Sequence, residues 1–152
     1  MSERLTLVKS KVEDLLEQLS VEATAVVEPG EEGAITVDIT GQNLGALIGY
    51  HGEGLSAIQL FLSMALHREW NEWPSLYVDV EGYRREREEK VRELAQRTAQ
   101  KVRFLSVPVA LSPMSPFERR IIHLVVEQIE GVVTESEGTG WERHVVVKPA
   151  VD

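Results

Sequence analysis

Leu47-Ile48-Gly49-Tyr50-His51-Gly52-Glu53-Gly54-Leu55-Ser56-Ala57-Ile58-Gln59 is the stretch whose reading decides the fold. Two glycines three apart sit between an apolar helical turn (Leu44, Leu47, Ile48) and an amphipathic helix (Leu55, Ile58, Leu62, Ala65, Leu66). Glycine lets a backbone approach a ligand with no Cβ in the way. The helix that follows turns its amide-rich, partly positive N-terminus back on the loop, an arrangement that suits phosphate.

Outward from the loop, helical and period-2 patterns alternate. Val8, Val12, Leu15, Leu16 and Leu19 predict an amphipathic helix over residues 4–19. Residues 22–28 read as a strand, and Pro29-Gly30-Glu31-Glu32-Gly33 as a turn. Ile35, Val37 and Ile39 alternate with Thr36, Asp38 and Thr40, and Leu76, Val78 and Val80 with Tyr77, Asp79 and Glu81. Both are half-buried strands. Trp70 and Trp73, before Pro74, are expected to pack in the core and at a corner.

Residues 83–105 predict a long charged helix, with Glu86/Lys90, Glu88/Arg92 and Glu93/Arg97 as i,i+4 pairs. Its apolar stripe is expected at Val91, Leu94, Thr98, Lys101/Val102 and Leu105, and Val107, Val109 and Leu111 make a short strand. Ser115-Pro116-Phe117-Glu118 is a helix start, with an N-cap serine, proline at the first position and a capping-box glutamate. That helix is expected to run to about Glu130, burying Phe117, Ile121, Leu124/Val125 and Gln128, with Ile122, Val126 and Ile129 beside them. Residues 132–137 and 142–148 form a hairpin about Gly138-Thr139-Gly140, with Trp141 either a stacking platform or a cap on the sheet. The expected domains are residues 1–81 and 82–152.

The 152 residues are 43% hydrophobic and 27% charged, as in a folded domain or two small ones. No cysteine is present, which excludes disulfides and thiolate metal sites and fits a reducing cytoplasm. No apolar run approaches the roughly 20 residues of a membrane span, so a cytoplasmic protein is expected. The net charge of −9 is uneven. Residues 1–81 hold 4 Lys/Arg against 14 Asp/Glu, residues 82–105 hold 8 against 4, and residues 106–152 hold 4 against 7. An anionic partner is therefore drawn to a local patch and not to the whole molecule. Arg84, Arg85, Arg87, Lys90, Arg92, Arg97, Lys101 and Arg103 carry phosphate or, with glutamates interleaved, simply make a solvated face.

The four histidines form no H-x-x-x-H pair, no acidic cluster has metal-ligand spacing, and Ser56 and Ser115 serve helix starts. The expectation is a protein that is not an enzyme and needs no metal or cofactor.

The order helix, strand, strand, helix, glycine loop, helix, strand resembles a type II KH domain, in which a G-x-x-G loop clamps a single-stranded backbone. Arg119 and His123 lie four apart, so they share a helix face. Pro113-Met114-x-Pro116-Phe117-Glu118-Arg119-Arg120-Ile121-Ile122-His123, with Ser136-Glu137-Gly138 and Arg143-His144-Val145-Val146-Val147, resembles the Arg-xxx-His (R-three-H) domain. Together the two halves are similar to the bacterial Jag family of RNA-binding proteins, over about residues 5–149. The resemblance implies an α+β (α/β sandwich) fold: a type II KH domain, then a three-stranded sheet packed on two helices. It implies contacts to single-stranded RNA, with single-stranded DNA as a second candidate, through Gly49, Tyr50, His51, Gly52, Arg119, Arg120, His123, Arg143 and Lys148. It also implies a post-transcriptional or cell-envelope/division role and another small KH protein as a partner. Jag proteins often carry a further N-terminal domain, which is not expected in this sequence. Their loop usually has basic residues between the glycines. Here Tyr50 offers a ring and a hydroxyl, and His51 a donor that gains charge below roughly pH 6.5. The competing class is a non-catalytic protein–protein scaffold with an acidic face.

Overall fold

The computed structural model describes residues 1–151; Asp152, the last residue of the expected second domain, lies outside them. The chain divides into two compact units, one ending at Arg84 and the other beginning at Arg85.

The first unit runs α1 (Ser2–Gln18), β1 (Ala23–Pro29), β2 (Ile35–Gly41), α2 (Gly45–Ile48), α3 (Glu53–Trp70) and β3 (Leu76–Val80). Its sheet has the order β1-β2-β3. β1 pairs antiparallel with β2 from Ala23↔Gly41 to Pro29↔Ile35, and β3 joins β2 in parallel from Ile35↔Leu76 to Ile39↔Val80. A short turn at Glu31–Gly33 closes the hairpin. The parallel strand requires a crossover, and α2 and α3 supply it. The period-2 reading places Ile35, Val37 and Ile39 inward, and all three are buried with Leu76, Val78 and Val80. Val8, Val12 and Leu16 of α1 and Leu55, Leu62 and Leu66 of α3 cover that face. Each such side chain contributes about 1.5–3 kcal/mol when fully buried.

α4 (Tyr83–Leu105) follows, then β4 (Val109–Ala110), α5 (Pro116–Glu127), β5 (Val132–Glu137) and β6 (His144–Pro149). The second sheet has the order β4-β6-β5, antiparallel throughout. This is the α+β architecture of a three-stranded sheet with two helices.

Five expectations need correction. The buried stripe of α4 is Val91, Ala95, Thr98, Ala99 and Val102, whereas Leu105 is 49% exposed. The two alanines let neighbouring chain pack close, a job that a search for large apolar residues overlooks. α5 ends at Glu127, three residues before the expected stop, because Gln128 and Ile129 tighten into i→i−3 hydrogen bonds. Its buried face is Glu118, Ile121, Ile122 and Val126; Phe117, Leu124 and Gln128 face solvent. The rotation follows from Glu118, drawn inward by Arg87 at 2.7 Å. The Ser115 hydroxyl accepts the Glu118 N–H at 3.2 Å, so half the expected capping box forms and the glutamate's carboxylate is used elsewhere. Finally, Trp73 is 63% exposed and lies flat on His67, ring centroids 4.2 Å apart, while Trp70 packs against the core beneath Arg4.

Candidate nucleic-acid interface

The glycine loop joins α2 to α3 through a single tight turn at Tyr50–Gly52. Gly49 has φ 68° and ψ −175°, and a Cβ there would stand 2.8 Å from the Gly54 nitrogen. Gly54 is constrained as tightly, since its Cβ would meet the Leu47 carbonyl oxygen at 2.6 Å. The loop is thus folded hard against the first turn of α3, and Gly54 shares the close approach expected of the other two glycines. The signal was visible as a third glycine in Gly-Tyr-His-Gly-Glu-Gly, although type alone did not distinguish it.

His51 takes the left-handed conformation at φ 50° and ψ 28°. That region costs an L residue about 1–2 kcal/mol. Its ring stacks on Tyr50 with centroids 3.9 Å apart and planes 19° from parallel. Tyr50 is 69% exposed. The tip therefore presents an aromatic ring backed by a second ring, ahead of an 18-residue helix whose N-terminus has no side-chain cap. First-turn amides and the helix dipole favour an anion at that end.

The second candidate group is arranged differently. Arg119 Nε donates to the Met114 carbonyl at 3.3 Å. His123 stands between two hydroxyls of β5, with Nδ1 2.6 Å from Thr134 Oγ1 and Nε2 2.8 Å from Ser136 Oγ. Burial lowers the His123 pKa below its ordinary value, helped by the charges of Arg119 and Arg143, so the ring is held neutral. Arg143 donates to the Gly138 carbonyl at 2.8 Å, closing the hairpin end. Lys148 pairs with Glu135 and Glu137, which raises the lysine pKa and lowers that of Glu135. Arg120 is exposed and has no ion pair among the described residues. Trp141, in the turn of the hairpin, is 85% exposed, which resolves the choice between platform and cap in favour of an open ring.

The structure therefore brings Arg119, His123 and Arg143 into one group, where each is already hydrogen-bonded. Lys148 is neutralised by its own strand pair. On α4, Lys90 and Arg92 pair with Glu86 and Glu88.

These two units define a class: a KH-type module and an Arg-xxx-His module in one chain. A family model described as the KhpA/KhpB KH domain matches residues 6–80, and one described as the R-three-H domain matches residues 89–149. The chain is similar to proteins named RNA-binding protein KhpB. It is 33% identical to that of Clostridium symbiosum over 137 residues, 90% of this chain and 62% of the relative. With that of Streptococcus pneumoniae serotype 2 it shares 32% over 142 residues, 93% of this chain and 43% of the relative. With that of Bacillus subtilis strain 168 it shares 29% over 141 residues, 91% and 67%. Over residues 6–149 the chain is thus similar to the Jag family. It spans about three fifths of the Clostridium relative and less than half of the Streptococcus one. Among the described residues, no helix is long and apolar enough to cross a membrane.

Proposed function

We propose that this chain binds single-stranded RNA, with the Gly49–Gly52 loop holding the strand's backbone. The observation that carries this reading is the loop itself: a left-handed turn against an uncapped helix N-terminus, with Tyr50 projecting into solvent. In the second unit, Arg120 and the open ring of Trp141 are the groups available to a strand. His123, with both ring nitrogens hydrogen-bonded, acts mainly by holding the frame that presents them, and Arg119 and Arg143 brace it with one N–H each while keeping the rest of their forks. The names of the relatives support RNA as the ligand. In the cell such a protein serves as a regulator of transcripts, including those of envelope or division functions, and not as a catalyst. Another small KH protein is the proposed partner, and the exposed Leu60, Phe61 and Met64 on the side of α3 opposite buried Leu55, Leu62 and Leu66 offer it an apolar face.

The deciding experiment is a salt-titrated binding assay on single-stranded RNA, single-stranded DNA and duplex. With three to five phosphates engaged, log affinity falls against log salt with a slope of about −2 to −3.5. Single strands are bound in the micromolar range and duplex more weakly. Absent RNA binding at low salt, with an acidic face capturing a basic protein instead, gives the function to the scaffold reading.

A further inference from the structure

Acidic side chains dominate the first unit, and the loop holds no lysine or arginine. Of the cations up to residue 84, Arg4 is paired with Glu72, Lys9 with Glu13 and Lys11 with Glu69, and Arg68 lies near the C-terminal end of α3. Arg84 remains. It lies beyond the segment matched as a KH domain, yet it is clustered with the first unit.

Its surroundings are built with care. β3 is an edge strand, and the outward-facing groups of Val78 are both closed by side chains. Gln59 Oε1, from α3, accepts the Val78 N–H at 3.0 Å. Arg84 Nε donates to the Val78 carbonyl at 2.8 Å, and Nη2 donates to the same Gln59 oxygen at 3.1 Å. The Arg84 guanidinium also lies 5.2 Å from the ring centroid of Tyr77. Its backbone N–H is fixed by the buried Asp79 carboxylate at 3.1 Å. The neighbouring Tyr83 ring lies against the glycine loop, where a Cβ on Gly52 would stand 3.0 Å from its Cε1. Tyr83 thus packs against the loop and Arg84 against the β3 edge.

A guanidinium has five N–H donors in a rigid fork. Here the Nε side is consumed by Val78 and Gln59, which locks the plane. The outer end, Nη1 and the second Nη2 hydrogen, has no partner among the described residues. An end-on pair of parallel N–H donors, held rigid on the residue after Tyr83, whose ring packs on the cation-poor loop, matches a phosphate bidentately.

We infer that Arg84 supplies the missing cation of the first unit, holding a backbone phosphate of the strand that lies on the Gly49–Gly52 loop. This rests on the RNA-binding reading above. Because the contact is to phosphate, it is independent of base identity.

The test uses the whole chain with U-rich and G-rich single-stranded RNA. Arg84→Ala weakens both about equally, by roughly tenfold, and makes the log–log salt slope shallower by about 0.7. Arg84→Lys preserves the slope but loses affinity, since charge without the fork is retained. Arg68→Ala changes neither. Should Arg84→Ala unfold, phenylglyoxal modification of the unaltered chain still decides: RNA protects Arg84 from reaction. Equal modification with and without RNA overturns the inference while leaving RNA binding intact. A loss confined to G-rich RNA overturns the phosphate assignment in favour of a guanine edge. Failure of the unaltered chain to bind RNA rejects this inference together with the reading beneath it.

Discussion

The glycine loop and the Arg-xxx-His helix are both recognised by motif, yet they are opposite in how their side chains are used. At the loop, Tyr50 and His51 touch each other and leave one ring facing water. At the helix, Arg119 and His123 are engaged with Met114, Thr134 and Ser136, and the nearby Arg143 with Gly138. A group whose polar atoms are all hydrogen-bonded, as both nitrogens of His123 are, gains little by exchanging one partner for another, and an intramolecular bond is worth about 0.5–1.5 kcal/mol net. A motif therefore marks either a surface that meets a ligand or the brace behind it, and only the hydrogen-bond partners separate the two.

The largest effect that sharpens this contrast comes from the loop. Replacing Tyr50 and His51 together by aspartates sets two negative charges on the strand's path. RNA affinity falls about ten- to a hundredfold, on the order of 1–3 kcal/mol. Thermal unfolding stays within about ±0.5 kcal/mol, as for most exposed sites. Native affinity in this variant removes the loop from the interface.

Trp141→Ala comes next. Stacking on an aromatic is worth about 1–3 kcal/mol per base, so a loss near tenfold is expected with stability unchanged, because the ring is 85% exposed. A drop in melting temperature with intact binding makes Trp141 a structural residue instead.

His123→Ala breaks the contrast if it is wrong. Two hydrogen bonds are lost, so the second unit is destabilised by about 1–2 kcal/mol, while RNA affinity stays within about twofold of native. The pH dependence has a definite sign. The folded pKa is lowered, so the unfolded chain takes up the proton first. The contribution of neutral His123 to stability is whole above about pH 6.5 and drains away as pH falls through the folded pKa. His123→Ala flattens that fall in a series of melts from pH 7.5 to 5. A native pH profile in the variant assigns the acid sensitivity elsewhere.

The smallest effect is at Lys148. Its charge is satisfied by Glu135 and Glu137, so Lys148→Ala leaves RNA affinity and salt slope as they were. A shallower slope would return Lys148 to the interface.

Most of the architecture was legible because the signals are local. Alternation at 35–39 and 76–80, and the charged run from Tyr83 to Leu105, map directly onto β2, β3 and α4. The rotation of α5 was not legible. Apolar residues occupy nearly every angle of that helix, and the face chosen depends on an ion pair between Glu118 and Arg87, 31 residues away. The hydroxyl pair around His123 was hidden for the same reason: Thr134 and Ser136 reach it only once β5 lies beside α5. Arg84 looked like one more cation in a salt-bridged helix, and only the folded edge of β3 sets it apart.

The account is tested most directly by backbone amide NMR of the whole chain titrated with single-stranded RNA. The largest shifts are expected at Gly49 to Leu55, across the loop and the first turn of α3, with smaller ones at Trp141. The amide of His123 is expected to move little. Shifts confined to residues 119–123, with the loop unmoved, would contradict the account.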